Sequence, residues 1–442
     1  MKIGLIAMSG VRACDEELMR LGLTLPGFVE RSKTIASLPS LGLLTLAGMT
    51  SPRHSIRYLE IERVRDVSEW PEFDLVAIST FTAQAYDSYA VADRYRRAGA
   101  SVVIGGLHAS VMPEEASGHA DAVVVGEGEL CWEKVLRDAE AGELRPFYYA
   151  RPREFDLAQA PMPAYDLLDI DRYNRITVQT TRGCPLRCSF CASSILLTRR
   201  YKQKPIEKVL AEIDRVRELW PRPFLEFADD NSFIHKDYWK ELLPRLARRR
   251  TRWFTETDIS VADDVDLLRH MRRAGCKQVL IGLESPVTDG LKGLELRSDW
   301  KHKKLPYYKE AVRRIQSQGI RVNGCFVLGL DGHKPGIFDR VFDFARELEL
   351  FDVQVTLQTP FPGTPLYEKL RQSNRLTEER AWHKCTLFDL LYEPTPMTRE
   401  ELTEGFRNLV TRLYSDDATK WRRDVFRRKC LGNTVKKAAL TV

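Results

Sequence analysis

The chain has 442 residues, which suggests two or three domains, and 43% of them are hydrophobic, enough to bury a substantial core. Its 68 Lys and Arg residues against 62 Asp and Glu residues give a net charge of +6, too mild to favour a nucleic-acid-binding protein. No apolar run approaches the roughly 18 residues that a membrane span needs, and Met1–Gly10 has the character of a first strand rather than a signal peptide. We therefore expect a cytoplasmic globular protein that binds neither nucleic acid nor a membrane.

Residues 1–145 alternate short β-branched runs with amphipathic stretches, which predicts an α/β domain with a doubly wound, Rossmann-like sheet. The predicted strands are Lys2–Ala7, Ser55–Leu59, Leu75–Ser79, Ser101–Ile104 and Ala122–Val125. Helical spacing of apolar residues is clearest over Gln84–Ala98 and Leu130–Ala141. Residues 146–175 contain several prolines and no clear periodicity, so we predict a linker there.

A second α/β series occupies residues 176–375. Its predicted strands are Ile176–Thr180, Phe224–Phe227, Trp253–Thr257, Gln278–Leu283, Arg321–Leu328 and Asp352–Gln358. Its predicted helices are Pro205–Glu218, Lys236–Arg248, Ala262–Ala274, Tyr307–Gln318 and Pro335–Leu348. Six strands are too few for a closed eight-stranded barrel, so we predict a partial, six-stranded (β/α)6 barrel with its site at the carboxyl ends of the strands. Residues 376–442 are predicted to form a short helical C-terminal region.

Three of the nine cysteines are closely spaced directly after the first strand of the second series. Thiolates of Cys184, Cys188 and Cys191 can bind three irons of a [4Fe–4S] cubane and leave the fourth iron open. That iron can chelate the amino and carboxylate groups of S-adenosylmethionine (SAM), whose reductive cleavage releases a 5′-deoxyadenosyl radical. A structural zinc site would need a second ligand pair, and none lies at a plausible distance along the sequence.

Several stretches that end successive strands make residues 176–375 similar to radical SAM enzymes, and residues 1–145 resemble the cobalamin-binding-type domain that often precedes them. These stretches are Phe227–Phe233, Gly282–Ser285, Phe326–Leu330, Thr359–Tyr367, Leu38–Gly42, Gly105–His108 and Gly126–Glu129. The resemblance implies a [4Fe–4S] cluster and SAM as cofactors, and a flavodoxin-type, ferredoxin-type or chemical reductant. It also implies SAM-binding roles for Phe190, Glu284, Ser285, Leu328 and Gly329.

Cobalamin itself is left open by the sequence. The DxHxxG loop, whose histidine ligates cobalt in many cobalamin proteins, is absent after the first strand, where Met8–Cys14 stands in its place. His108 is the one histidine just past a strand end in this domain, and we expect it to stabilise a turn rather than to ligate cobalt.

Two reactions on a small-molecule substrate remain open. We favour slightly a radical dehydration or deoxygenation of a polyhydroxylated or aminosugar intermediate in natural-product (antibiotic) biosynthesis, a lyase or oxidoreductase activity with a downstream reductase as a further partner. The alternative is a cobalamin-dependent radical C-methyltransferase. Carboxylates at the strand ends suit the first reaction, and Asp229, Asp230 and Glu256 are the predicted catalytic residues.

Overall fold

The computed structural model describes residues 1–11, 13–21, 38–150, 154–193 and 200–439; of residues 20, 21 and 431–439 only the backbone is described. Residue 12 of the Met8–Cys14 loop, residues 151–153 of the predicted linker and residues 440–442 of the C-terminal region lie outside these ranges. Two parallel six-stranded sheets carry the fold, together with a two-stranded antiparallel pair. The predicted α/β class, with a Rossmann-like sheet followed by a partial barrel, is confirmed.

The first sheet has the strand order β2-β1-β3-β4-β5-β6, with every adjacent pair parallel. Its strands are β1 Lys2–Met8, β2 Ser55–Ile61, β3 Leu75–Ser79, β4 Ser101–Gly105, β5 Ala122–Val125 and β6 Phe147–Tyr149. The helices around it are α1 Glu16–Leu21, α2 Leu41–Met49, α3 Ala85–Arg97, α4 Leu107–Val111, α5 Pro113–Ser117 and α6 Trp132–Ala141. Its central strands are buried on both faces, as parallel strands between two layers of helices should be.

The predicted linker 146–175 differs from the structure at its start. Residues 147–149 form β6, which pairs with β5 in register Val123↔Phe147 and so extends the first sheet beyond residue 145. A strand of three residues is too short to show a period. Further along, the segment is packed against α2: Ala164 N–H donates to the Leu44 carbonyl at 2.9 Å, and a Cβ at Gly48 would lie 2.1 Å from the Met162 carbonyl oxygen.

The second sheet curves into a partial barrel with the order β14-β13-β12-β11-β10-β7, again entirely parallel. Its strands are β7 Ile176–Val178, β10 Phe224–Phe227, β11 Arg252–Thr257, β12 Cys276–Glu284, β13 Arg321–Leu328 and β14 Asp352–Leu357, and the antiparallel pair is β8 Thr181–Arg182 with β9 Lys202–Gln203. The helices are α7 Ile206–Leu219, α8 Lys236–Ala247, α9 Val265–Arg273, α10 Thr288–Leu291, α11 Trp300–Lys304, α12 Tyr308–Ser317, α13 Ile337–Glu347 and α14 Pro365–Gln372.

Two further helices, α15 Arg399–Tyr414 and α16 Asp416–Ala439, follow the barrel. A capping box starts α15, because the Thr398 hydroxyl accepts from the Glu401 amide while the Glu401 carboxylate accepts from the Thr398 amide. The inner face of α15 joins the barrel core through Leu402, Phe406 and Leu409. Within the described part of the chain, each helix is too short or too polar to cross a bilayer.

Candidate functional site

The loop that carries Cys184, Cys188 and Cys191, called the cysteine loop below, follows β8 at the carboxyl end of the barrel strands. On one side it is held by the chain that follows α10: the Ser189 amide donates to the Leu294 carbonyl at 2.9 Å, and the Leu296 amide donates to the Arg187 carbonyl at 3.1 Å. Cys188, between them, forms an antiparallel bridge with Glu295. Backbone hydrogen bonds therefore help to set the path of the loop on this side.

On its other side the loop is held by two carboxylates that follow β10. Asp229 is 4% exposed and accepts from the Thr180 and Thr181 amides at 2.8 and 2.9 Å, from the Thr180 hydroxyl, and from the Ser232 hydroxyl at 2.8 Å. Asp230 accepts from the Gly183 amide at 2.7 Å and from the Ser193 hydroxyl.

These hydrogen bonds show that Asp229 and Asp230 fix the start of the cysteine loop relative to β10. Each oxygen of the two carboxylates accepts at least one hydrogen bond from the loop or its flanks. The catalytic roles predicted for the two residues stay predictions. Their place at a strand end suggested chemistry, and the sequence could not show which way the side chains turn.

The three cysteines lie close to one another in this loop. The charge of Cys191 acts on both Cys184 and Cys188, and the Asn231 amide donates to Cys184 Sγ at 3.8 Å. Burial raises the pKa of Cys184 and Cys188, so both thiols keep their protons unless a metal takes the place of the proton.

Three cysteine thiolates on one loop are the donor chemistry that a [4Fe–4S] cubane requires. Among the described residues, no three His, Cys, Asp or Glu side chains converge on one point as the ligands of a zinc ion would. A cubane places each thiolate on a different iron and therefore spreads the three sulfurs apart. Cys184, Cys188 and Cys191 are the candidate ligands.

Glu284, at the end of β12, is held by a lysine that the sequence analysis missed. Lys301 of α11 forms a buried ion pair with the Glu284 carboxylate and donates to the Gly282 carbonyl at 2.9 Å. Glu284 has a φ of +61°, a left-handed conformation that costs a non-glycine residue roughly 1–2 kcal/mol. A register shift between β12 and β13 at Gly282–Glu284 accompanies it, so the strand end is bent where the carboxylate projects.

The other predicted SAM-binding residues surround the same end of the barrel. Phe190 packs on an apolar cluster of Leu291, Leu294, Val327 and Leu330. Leu328 is fully buried in the core, and Gly329 has a φ of +84°. Tyr392 Oη donates to the Gly329 carbonyl at 2.6 Å and would lie 2.2 Å from a Cβ at that position, so only glycine fits.

Ser285, another predicted SAM-binding residue, is fully buried, and its hydroxyl lies 2.9 Å from His333 Nε2. Its role in SAM binding stays a prediction. Burial lowers the pKa of His333 to about 4, which keeps this imidazole neutral.

Glu256 projects from β11 into the barrel interior. It is exposed to space that water can enter, although the barrel surrounds it. Burial within the barrel, followed by repulsion from Glu226 and other carboxylates, raises the pKa of Glu256 to about 8. Glu226 on the neighbouring strand is paired with Arg175 at 2.5 Å.

The first sheet reaches the cysteine loop through Glu127 and Glu129, which follow β5. Arg182, two residues before Cys184, donates to Glu127 at 2.6 Å and to Glu129 at 2.8 Å. Lys202 of β9 also donates to Glu127, at 2.7 Å. All these side chains are mostly buried, so this network joins the edge of the first sheet directly to the loop that carries the cysteines.

The carboxyl edge of the first sheet has unsatisfied polar groups and tight turns. The Ser9 hydroxyl and both side-chain amide atoms of Gln84 are buried without a hydrogen-bond partner among the described residues. Gly106 has a φ of +98°, and a Cβ there would lie 2.8 Å from the Thr80 carbonyl oxygen. Phe81, beside them, is 59% exposed. This edge therefore offers both hydrogen-bonding groups and an apolar surface to a large ligand.

His108 is not part of that edge. It is fully buried, its Nε2 lies 3.4 Å from Glu115, and its ring packs 5.3 Å from that of Trp382. The structure thus places it in an internal contact with the C-terminal region.

Residues 178–345 match the radical SAM superfamily and residues 34–136 match the B12 binding domain. The chain is 28% identical over 386 residues to bacteriochlorophyllide d C-12(1)-methyltransferase of Chlorobaculum tepidum, an alignment that covers 86% of this chain and 83% of that protein. It is 30% identical over 351 residues to an uncharacterised methyltransferase of Synechocystis, covering 77% of this chain and 64% of that relative. The solved structure of the radical SAM methyltransferase TsrM from Kitasatospora setae, with cobalamin and a [4Fe–4S] cluster bound, has a TM-score of 0.66 at 15% identity, covering 94% of this chain and 90% of that one.

Proposed function

This chain is a radical SAM protein with an N-terminal B12-binding domain, and from that premise we propose that it is a cobalamin-dependent radical SAM methyltransferase. Its substrate would be a small molecule that receives the methyl group on an unactivated carbon. The named relatives in two different organisms are methyltransferases, and they cover most of this chain. The slight preference for dehydration or deoxygenation finds no support among them, and the same holds for a lyase or oxidoreductase activity and a role in antibiotic biosynthesis. The comparisons favour the alternative reaction.

One structural observation carries the proposal: the edge of the B12-binding sheet and the cysteine loop are joined by buried ion pairs. Glu127 and Glu129 on one side hold Arg182 on the other. Radical formation and methyl donation must act on the same substrate atom, so their two sites have to be held at a fixed separation. The network gives the chain a means to do this.

In this proposal Cys184, Cys188 and Cys191 hold the cluster. When bound, the cluster supplies the electron that cleaves SAM. Asp229 and Asp230 keep the loop in place, and the Asn231 amide donates to Cys184 Sγ. The apolar packing of Phe190 shields the loop from water on one side.

Ser9, Gln84 and Gly106 are the residues that would hold cobalamin, because they combine unpaired buried polar atoms with a turn that leaves no room for a side chain. When bound, cobalamin supplies a carrier for the methyl group. The buried contact of His108 with Glu115 and Trp382 takes that imidazole away from the sheet edge, so it would not serve as a cobalt ligand.

The test is to prepare the protein anaerobically with cobalamin supplied and to supply SAM and a chemical reductant. We expect bound cobalamin at one equivalent beside the cluster, and both S-adenosylhomocysteine and 5′-deoxyadenosine among the products. The methyltransferase proposal would be contradicted by a protein that holds a cluster, binds no cobalamin and forms 5′-deoxyadenosine alone. That result would favour the radical dehydration instead. A flavodoxin- or ferredoxin-type physiological reductant stays a prediction.

A further inference from the structure

The inner face of the barrel is open to water, whereas its outer face is fully covered. On β10 and β11 the outward residues Leu225 and Trp253 are completely buried, and the alternate residues Glu226 and Glu256 are partly and largely accessible. Accessible inward positions recur on β12–β14 at Leu280, Gly282, Cys325, Gln354 and Thr356, whereas inward Gln278, Asn323 and Val327 are buried. Side chains of a strand point alternately to its two faces, so this pattern identifies a hollow interior.

Most side chains on the inward face of the barrel are polar, and the apolar Phe254, Leu280 and Val327 share that face. The register of the strands puts Thr177, Glu226, Gln278, Glu256, Asn323, Cys325, Gln354 and Thr356 on the inward face. Three of them carry a buried atom with no hydrogen-bond partner: Thr177 Oγ1, Gln278 Oε1 and Asn323 Oδ1, on residues that are 5%, 2% and 5% exposed. Buried polar atoms are usually paired, so these three atoms point to a ligand that hydrogen-bonds.

Among the carboxylates in and around the barrel interior, Glu256 is the one without a partner in the described part of the chain. Glu226 is paired with Arg175, and Glu284 with Lys301. Asp229 and Asp230 are engaged by the cysteine loop. Glu256 has no ion-pair or hydrogen-bond partner among the described residues, and the ionised groups that act on it most strongly are the carboxylates of Glu226, Asp229, Asp230 and Glu284.

We propose that the barrel interior binds a hydrophilic substrate whose cationic amine lies against Glu256 and whose hydroxyl or amide groups pair with Thr177, Gln278 and Asn323. An ammonium group would give Glu256 the counter-charge that the protein does not supply. An apolar substrate would leave the three buried polar atoms unpaired, and an anionic substrate would meet a surplus of carboxylates. This inference rests on the proposed function, since it names the class of molecule on which the radical enzyme acts.

The charge of the interior can be measured without knowing the substrate. Cys325 faces the interior, and Glu256 is, after burial, the main cause that raises the pKa of this thiol. The holoenzyme is treated with two thiol reagents of similar size, a cationic trimethylammonium-ethyl and an anionic sulfonatoethyl methanethiosulfonate, and labelling of Cys325 is followed by peptide mass spectrometry. The ratio of the two rates cancels the intrinsic reactivity of the thiol.

We expect the cationic reagent to be faster by about tenfold or more above pH 8, where Glu256 is ionised. The ratio should fall towards pH 6.5 and should lose its pH dependence in Glu256→Gln. The matched control is Glu241→Gln, an exposed carboxylate on α8, which should behave as the wild type. Equal rates, a faster anionic reagent, or a Cys325 that neither reagent reaches would overturn the proposal.

The substrate class is tested with three sugars that differ mainly in charge: glucosamine, glucose and glucuronate, as protectants of Cys325 against a neutral methanethiosulfonate. The proposed order of protection is glucosamine, then glucose, then glucuronate, with the difference between the first two lost in Glu256→Gln. Protection by glucuronate that equals or exceeds that by glucosamine would overturn it, as would an unchanged order in the variant. Neither readout involves methyl transfer, so failure here is distinct from an absence of bound cobalamin or S-adenosylhomocysteine.

Discussion

The two parallel sheets of this chain have the same number of strands, but they differ in how far helices cover their faces. In the first sheet, β1 and β5 are buried at nearly every position, because helices cover both faces. In the second sheet, β10, β12 and β14 alternate between buried and accessible residues, because helices cover only the outer face. The first sheet can therefore offer ligands only its edge, whereas the second can also enclose them.

This difference explains where polar residues accumulate. Around the first sheet, unpaired polar atoms of Ser9 and Gln84 lie at its carboxyl edge. In the barrel, unpaired atoms of Gln278 and Asn323 lie within the strands, and others lie on the surrounding helices and loops. This arrangement suits a large cofactor that lies across the edge of the first sheet and a substrate that binds inside the barrel.

The largest effect is expected when the barrel loses its cysteines. The triple substitution of Cys184, Cys188 and Cys191 by alanine should abolish cluster absorbance and 5′-deoxyadenosine formation, because it removes all three candidate thiolate ligands of the cluster. Iron and sulfide analysis with a SAM-cleavage assay measures this. Cys430→Ala, in α16, is the control and should keep both properties; retention of the cluster by the triple variant would refute the assignment.

The link between the sheets should be the next most sensitive feature. Arg182→Met removes the ion-pair partner of the buried Glu129 and one of the two cations that pair with Glu127, which we expect to lower the free energy of unfolding by about 3 kcal/mol. Because Arg182 precedes the cysteine loop, the electron paramagnetic resonance signal of the reduced cluster should also change. Urea unfolding and that spectrum are the measurements.

The surface pair Arg313–Glu310 provides the control for Arg182, since Arg313→Met removes an exposed arginine of the same type. A stable Arg182→Met protein with an unaltered cluster signal would show that the two sheets are joined in some other way.

The edge of the first sheet is tested by two glycines with similar backbones and different surroundings. Gly99 and Gly106 have φ of +87° and +98°, but a Cβ meets nothing within 4 Å at Gly99 and lies 2.8 Å from a Thr80 backbone oxygen at Gly106. Gly99→Ala should cost about 1 kcal/mol from backbone strain alone, and Gly106→Ala about 1–3 kcal/mol more from the clash. Thermal unfolding of the two variants gives the difference, and bound cobalamin should be lost only from the Gly106 variant. Equal losses of stability in the two variants would mean that the backbone around Gly106 shifts to accommodate the added methyl group.

The last prediction concerns the pH dependence of stability that comes from Glu256, whose effect is reduced because solvent reaches the side chain. Its pKa is raised from 4.5 to about 8 in the folded protein, so the folded state holds a proton that the unfolded chain releases between these values. The stability that this proton confers is present below pH 4.5 and is lost as the pH rises through about 8. Glu256→Gln should therefore gain stability relative to the wild type from pH 5 to pH 8.5. A difference in melting temperature that is constant over this range would contradict the raised pKa.

Most of the fold could be predicted from the sequence because periodicity depends on local residues. Four predicted strands have the observed bounds, and the others differ by a residue or two at their ends; the four are Leu75–Ser79, Ala122–Val125, Phe224–Phe227 and Arg321–Leu328. The strands that were missed, β6, β8 and β9, have three, two and two residues, too few for a period to develop.

The site was predictable only where a motif carries its own chemistry. The cysteines and Gly329 lie at the expected end of the barrel. Lys301, which holds Glu284, and the pairing of Arg182 with Glu127 join residues 17 and 55 positions apart, and nothing in the local sequence marks such partners. The same limit explains Asp229 and Asp230: a strand end gives their place, whereas their hydrogen bonds to the cysteine loop arise only in three dimensions.

The central claim, that the two sheets cooperate in methyl transfer, is tested most directly by following the methyl group. The holoenzyme with cluster and cobalamin is incubated with SAM that carries a fully deuterated methyl group, a reductant and a fraction of amine-containing polar metabolites, and the products are examined by mass spectrometry. We expect a product that carries the intact deuterated methyl group on carbon, formed by the wild type and not by the triple cysteine variant. Turnover of SAM to 5′-deoxyadenosine with a product that has lost water and contains no deuterium would contradict it.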